Sequence, residues 1–436
     1  MSDEEQSCEQ VEDDPTNSRL SLLDLPVEVF LYICSFLDAS TMVHALSLVC
    51  KQFNEVLRDD SMWKERISHM CLHTDYPILP PAEDDKLFWK LSCVALEKQI
   101  SLWRKEESIE GSMERLSLNN IHFSTIDGLH LMHNGNICIS GARNRSLVCW
   151  KLPNEENEKE NVTHINFAHD GWIWDITSID NTVYSCSWDK TVKAWTLTDT
   201  GLVHFKTYDM SIDCAVLSVA SCPELALFAT GSFCKTVSVY DTRSGATPIV
   251  MYKPHRGPVI RLIMNSQFIV SASEDKTVYI WDHRTRKFIN DFTITESFPM
   301  CICMQRDIIY VGDSTAKLYV LDPNENFNAV KTYPTEHKKA ITGIHVAPGC
   351  LITSSTDKTV RITTPTDPPQ HLATLESNYG GIASSDYLND VLAVSGTGGI
   401  EIWRPRSRSH TSYQRENECD LDRGFVGSNC NKYDPV

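Results

Sequence analysis

The sequence has no long hydrophobic run; no stretch approaches the roughly 18–20 apolar residues that cross a bilayer. It also lacks a basic-then-apolar leader, because it opens MSDEEQSCEQVEDD. That absence predicts a chain kept in a reducing compartment, cytoplasmic rather than secreted. Its 16 cysteines contain no CxxC pair and read as small buried hydrophobes, with disulfides not expected. Positive charge is scarce: 40 Lys and Arg stand against 58 Asp and Glu, a net −18, which argues against a nucleic-acid surface. A Gly-rich phosphate loop, HExxH and GxSxG are all missing. The sequence therefore offers no catalytic residue, no metal ligand and no cofactor site, and a membrane or nucleic-acid partner is not expected.

What is present divides the chain. Residues 1–19 are acidic and read as disordered. Residues 20–69 change to short helices. Pro26 suits a first helical turn, and Val29, Ile33, Phe36 and Leu37 follow at helical spacing. Asp38 or Ser40 can cap a next helix bearing Val43, Leu46, Val49, Cys50 and Phe53, and Asp60 or Ser61 starts the turn that carries Trp63. Fifty residues are too few to consume stripes this wide, so a partner surface is implied, although a helical cap on the next domain would show the same stripes. Residues 70–113 read as a connector, with Pro77, Pro80 and Pro81 in a loop and an amphipathic helix from Asp84 to Glu107. Residues 405–436 are polar and read as disordered, with RPRSRS as a candidate nuclear signal.

Between 114 and 404 a unit repeats. SWDKTVKAW ends at Trp195 and SEDKTVYIW at Trp281, while STDKTVRIT ends at Thr363. Turn positions align as Asn144, Asp189, Cys234, Asp275, Asp313, Asp357 and Thr397. Six residues later come Trp150, Trp195, Tyr240, Trp281, Tyr319, Thr363 and Trp403. The mean spacing of about 42 residues is that of a β-propeller blade. Seven blades fit, and Arg115–Asn119 are expected to supply the outer strand of the last blade, closing the ring. His169, His255 and His337 each precede a turn aspartate (Asp189, Asp275, Asp357) by 20 residues. They are read as a structural relay in which the carboxylate accepts from His and a strand hydroxyl links on to the Trp195 or Trp281 indole. Blades one, three, five and seven lack parts of it.

Leu25-Pro26, Glu28, Ile33, Leu37-Asp38, Val49-Cys50-Lys51, Phe53 and Trp63 resemble the F-box motif. Together with the repeats, the chain over roughly 20–404 resembles the F-box/WD-repeat family of ubiquitin-ligase substrate receptors. The resemblance implies an all-α F-box, a helical linker and a seven-bladed all-β WD propeller. It also implies a non-catalytic receptor that bridges a SKP-type adaptor, and through it a cullin–RING ligase, to a protein substrate marked for proteasomal degradation. Leu25, Pro26, Val29, Ile33, Leu37, Val49, Phe53 and Trp63 would meet the adaptor, with Phe53 and Trp63 the most divided between that role and holding the F-box together. Targets of such receptors sit on the propeller face built from the turns and the approaches to the inner strands. Here that face offers Arg143, Trp172, Trp174, Trp188 and Phe233. Relatives that read phosphodegrons place several arginines there, but this chain has Arg143 with Arg256, Lys338 and Lys339 nearby at best. An aromatic patch for an unmodified or hydrophobic degron is expected instead, unless Trp174 packs between blades. A scaffold without ligase function is the rival reading.

Overall fold

Pro26 has no N–H to lose at the start of a helix, and its carbonyl accepts the Val29 and Phe30 N–H groups at 3.0 and 3.1 Å. Helix α1 (Val27–Cys34) begins there. Asp38 caps the next segment, accepting the Thr41 N–H at 2.7 Å. That segment runs as α2 (Ala39–Thr41), a π turn (Met42–Leu46) and α3 (Ser47–Val49). The stripe that reads as one helix is broken at Cys50, which is extended and whose sulfur accepts the Phe53 N–H to open α4 (Lys51–Val56). Asp59 rather than Asp60 or Ser61 caps α5 (Asp60–Met70). Phe30, Cys34, Met42, Phe53, Leu57, Trp63 and Ile67 form the buried centre of this unit.

The computed structural model describes residues 22–71, 87–104, 112–153, 161–209, 213–305 and 307–406. The two expected disordered tails, apart from a few residues, and the proline loop lie outside them. The connector helix α6 spans Phe88–Trp103. Its Cys93 and Leu96 complete the helical core, while Trp103 enters a core shared by the last two sheets.

Among the described residues twenty-eight strands follow, β1 (Met113–Asn119) to β28 (Gly399–Pro405). They form seven four-stranded antiparallel sheets, the blades of a propeller. Blade 1 is β2–β5 (Ile126–Met132, Ile137–Ala142, Leu147–Lys151, Asn161–Ile165) and blade 2 is β6–β9 (Ile173–Ile179, Thr182–Ser187, Thr191–Thr198, Gly201–Asp209). Blade 3 is β10–β13 (Val216–Cys222, Leu227–Ser232, Val237–Asp241, Val250–Tyr252) and blade 4 is β14–β17 (Val259–Met264, Phe268–Ser273, Thr277–Asp282, Lys287–Thr293). Blade 5 is β18–β21 (Pro299–Gln305, Ile308–Asp313, Lys317–Asp322, Asn328–Pro334) and blade 6 is β22–β25 (His371–Glu376 outermost, after Ile341–Ala347, Cys350–Ser355 and Thr359–Thr363). Blade 7 joins β26 (Ser384–Leu388), β27 (Val391–Ser395) and β28 to β1.

The DKT motif dictates the turn within blades 2, 4 and 6. Asp189 Oδ1 accepts both the Thr191 N–H (2.9 Å) and the Thr191 hydroxyl (2.7 Å), and Lys190 between them takes a left-handed φ of 73°. The same bonds form at Asp275/Thr277 and Asp357/Thr359. The second strand of a blade is apolar and ends in small residues, as in FIVSAS of β15, where all six residues are buried between blades. The innermost strands β2, β6, β10, β14, β18, β22 and β26 each touch the next, around the full ring. Arg115–Asn119 do close it: β1 pairs with β28 from Met113↔Pro405 to Asn119↔Gly399. Arg115 binds the buried Glu401 and lies over the Trp403 ring at 5.3 Å.

Candidate functional site

Two surfaces gather the residues expected to carry function. On the helical unit, Val29, Ile33 and Val49 are exposed, Pro26 is exposed, and Leu25 and Leu37 are half-buried. Tyr32, Phe36 (73% exposed) and Leu48 (76%) extend the same apolar exposure. Phe53 and Trp63 do not belong to it. Phe53 stacks on Phe30 at 4.5 Å, and Trp63 is fully buried with its indole N–H donating to the Leu57 carbonyl at 2.9 Å. They hold the unit's shape from inside, because large aromatics in so small a core are the groups that fill it.

Arg66 and Glu97 set the geometry of this face, and sequence reasoning passed over both. Arg66 Nε pairs with Glu97 Oε1 at 2.6 Å, while its Nη atoms donate to the Cys34 and Leu37 carbonyls at the end of α1. Glu97 Oε2 accepts the Ala39 N–H at 2.6 Å. One half-buried ion pair thus satisfies backbone groups of two helix ends and ties them to α6. On the other side of α6, Gln99 donates to Asp390 at 2.6 Å and accepts from Trp103 at 2.8 Å.

The second surface lies on the propeller face that carries the turns. Trp172 and Trp174 flank the start of β6, Trp188 sits in the β7–β8 turn, Phe233 in the β11–β12 turn, and Arg143 in the β3–β4 turn. All five come together. Trp172, Trp174 and Trp188 have ring centroids 6.1–6.3 Å apart, and Phe233 meets Trp188 at 5.7 Å. Arg143 lies over Trp172 and Trp174, at 5.4 and 5.1 Å. Its guanidinium is engaged in two bonds with Asp127, at 2.8 and 3.0 Å. Asp127 therefore neutralises the one arginine of the cluster and leaves an aromatic cup whose edge residues Trp172, Trp188 and Phe233 are each about half exposed. Trp174 is more enclosed, and its indole N–H has no partner among the described residues.

The relay is formed as expected in blade 2. His169 Nδ1 bonds Asp189 at 2.8 Å, its Nε2 bonds Ser185 Oγ at 2.8 Å, and Trp195 donates to the same oxygen at 2.9 Å. Burial alone would raise the Asp189 carboxyl, but the His169 bond and charge, with Thr191 and the Asp170 N–H, hold it well below the usual range. In blade 4, His255 reaches Ser271 (2.8 Å) and Asp275 (3.4 Å). Trp281 leaves the relay there: it stacks on Tyr252 at 4.4 Å and its indole N–H has no partner among the described residues. In blade 6, His337 joins Asp357 (3.3 Å) and Thr353 (2.9 Å). Blade 1 lacks the turn aspartate, as its sequence indicates, but Asn144 stands in for it and the rest of the relay forms. His122 bonds Asn144 (3.2 Å) and Ser140 (2.9 Å), and Trp150 donates to Ser140 (2.8 Å). The 20-residue rule misses His122 because its separation is 22.

Blade 3 overturns the expectation of no disulfides. Cys214 and Cys234 are bonded, with a Cα–Cα distance of 6.1 Å and a separation of 20 residues. They stand where blades 2, 4 and 6 place His and Asp, positions the fold holds within disulfide range. Buried thiols elsewhere are inert; burial pushes Cys93 and Cys301 up to about 12. Inside the ring, His130, His345 and Asp386 meet on β2, β22 and β26, a grouping that turn-based alignment does not reveal. They serve as links between blades: His130 bonds Ser178 (2.8 Å) and Asp386 (3.3 Å), and Asp386 accepts the Leu131 N–H (2.7 Å). No group among the described residues is arranged to hold a metal, and no helix of the described residues is long and apolar enough to cross a membrane.

With this geometry in view, comparison with known proteins decides the family. An F-box-like family model matches residues 22–68, and a WD domain, G-beta repeat model matches 160–196 and 246–282. F-box/WD repeat-containing protein 9 of Homo sapiens is 32% identical over 394 residues, covering 89% of this chain and 83% of that protein. The chain belongs to the F-box/WD-repeat family. Its Bos taurus relative of the same name is also 32% identical, over 89% of this chain and 84% of its own. F-box/WD repeat-containing protein mec-15 of Caenorhabditis elegans is 27% identical over 72% of this chain and 77% of its own. The F-box of this chain is thus the helical unit with the exposed apolar face, and its WD propeller the ring that carries the aromatic cup. No catalytic family is indicated.

Proposed function

We propose that the chain is the substrate-recognition subunit of an SCF-type ubiquitin ligase, acting in the cytoplasm. The F-box face docks a SKP-type adaptor, the propeller face holds a protein target for ubiquitination, and the chain performs no chemistry itself. One observation carries this reading: Val29, Tyr32, Ile33, Phe36, Leu48 and Val49 stay exposed although the same chain has a propeller against which they could have folded. Burying one such side chain against a partner is worth roughly 1.5–3 kcal/mol, so the face suits a stable interface. The test replaces Leu25 and Pro26 by alanine. The expected outcome is loss of adaptor pull-down with an unchanged propeller melting transition, and retained pull-down would sink the proposal in favour of a scaffold.

The target we assign to the aromatic cup is an unphosphorylated, hydrophobic segment. Arg143 is already paired with Asp127, so no free guanidinium fork awaits a phosphate there, whereas clustered Trp and Phe are the usual anchors of a binding hot spot. Phosphatase treatment of the target should leave binding intact, and Trp188→Ala should weaken it by tenfold or more, on the order of 1.4 kcal/mol. Binding that vanishes on dephosphorylation would reject this assignment.

A further inference from the structure

Blade 6 keeps the surroundings of a relay tryptophan and omits the tryptophan. In blade 2, Trp195 stands opposite Val183 on one side and His204 on the other. Its indole N–H donates to Ser185 Oγ, and the His204 ring meets it edge-on at 5.1 Å. In blade 6, Thr363 stands opposite Leu351 and His371. Thr353 takes the place of Ser185, bonded to His337 as Ser185 is to His169. His371 holds Thr374 at 2.8 Å as His204 holds Thr207 at 2.9 Å. Only the ring is gone. Thr363 turns its hydroxyl to the Leu351 carbonyl (3.1 Å), and a cavity of about 240 Å³ opens, bounded by Leu318, Tyr333, Leu351, Thr353, Thr363 and His371.

Three features of this cavity point to a ligand. It reaches solvent: Thr363 is half-buried and His371, Pro334 and Pro368 are exposed, whereas Trp195 is buried. Thr353 keeps a lone pair of its hydroxyl free of any indole donor, the bond that Ser140 and Ser185 accept from Trp150 and Trp195. Arg361, in the cavity wall, is paired with the exposed Glu336, so charged donor and acceptor groups border the opening. A peptide backbone bonds to such groups with both its N–H and its C=O, and a bare indole has only its N–H.

We propose that the cavity between blades 5 and 6 is a pocket for a tryptophan side chain presented by a protein partner, inserted from the flank of the propeller where the chain's own tryptophan would otherwise sit. It is a second docking site, distinct from the aromatic cup and independent of the adaptor face.

The test titrates the full chain with two probes, N-acetyl-5-fluoro-L-tryptophanamide and 5-fluoroindole, followed by ¹⁹F NMR. Thr363→Trp refills the pocket, Thr363→Phe blocks it with a smaller ring should tryptophan overpack, and Thr353→Val removes the acceptor hydroxyl while keeping the shape. The amide is expected to bind the native chain more tightly than indole, to lose binding in either Thr363 variant, and to weaken about fivefold to tenfold in Thr353→Val. Thr363→Trp or Thr363→Phe should also raise the melting temperature. Absence of binding to the native chain, or equal binding to the native and both filled chains, overturns the pocket. Indole binding as tightly as the amide overturns the peptide source.

Discussion

Ser185 receives a histidine and a tryptophan on one oxygen, and that economy recurs at Ser140. Removing a hydroxyl in such a position strands one buried donor, the indole N–H, and one buried acceptor, the imidazole Nε2, at about 1–3 kcal/mol each. The histidines of these relays also make stability depend on pH. Burial, outweighing the Asn144 bond, lowers His122 to about 4; burial likewise lowers His255 and His337, against the pull of Asp275 and Asp357. The unfolded chain, with histidines near 6.5, therefore takes up protons first as pH falls. Stability should be full above about pH 6.5 and decline below it, with the His122 share lost progressively down to about pH 4. That share is on the order of 3 kcal/mol. Denaturant midpoints measured from pH 7.5 to 4 should show the decline, and His122→Gln should flatten it; an unchanged slope in that variant would count against a buried neutral imidazole. At this scale the sequence was legible wherever a spacing repeats. The 20-residue interval located His169, His255 and His337, and the same interval lay between Cys214 and Cys234, unread because compartment rather than register governed the expectation. Trp281 shows the converse. Its spacing is right, but a neighbouring ring, Tyr252, decides where the indole goes, and no spacing encodes that.

Among the elements, α6 is the one whose role a helical pattern understates. It is shared by two cores, with Cys93 and Leu96 on the F-box side and Trp103 on the propeller side. Its contact with the β22–β23 turn is close enough that a Cβ on Gly349 would lie 2.3 Å from the Ala95 carbonyl oxygen. Gly349→Ala should therefore lift α6 off the propeller. Amide exchange protection over 88–103 should fall by tenfold or more, about 1.4 kcal/mol, while β6–β9 exchange as before; protection retained along α6 would show that the helix is held from the F-box side alone. The amphipathic pattern between Asp84 and Glu107 announced the helix but not its two-sided burial, which depends on where the loops of blades 6 and 7 arrive. The break at Cys50 was likewise invisible, since the apolar stripe continues through it and only the extended backbone divides α3 from α4.

For the whole molecule, ring closure by β1 was readable from a count: six complete blades and one short of a strand, with RLSLN upstream to supply it. Leu118 lies buried in the core shared by blades 7 and 1. Leu118→Asp would place a carboxylate there and should destabilise the propeller by roughly 3 kcal/mol or more. Calorimetry should show one transition moved to lower temperature, and an unmoved transition would mean that the ring does not rest on β1. The face that carries the aromatic cup was less legible, because Asp127, the residue that silences Arg143, sits on an inner strand outside the turn pattern.

The same strand has a consequence for synthesis. A ribosome makes Met113–Asn119 before any blade and Gly399–Pro405 after all of them, so the two halves of blade 7 are separated in time as well as in sequence. At roughly 5–20 residues per second the first waits for the second on the order of tens of seconds. Throughout that interval the nascent chain trails an unpaired edge, and a chaperone that shields it would govern how much functional wheel the cell obtains.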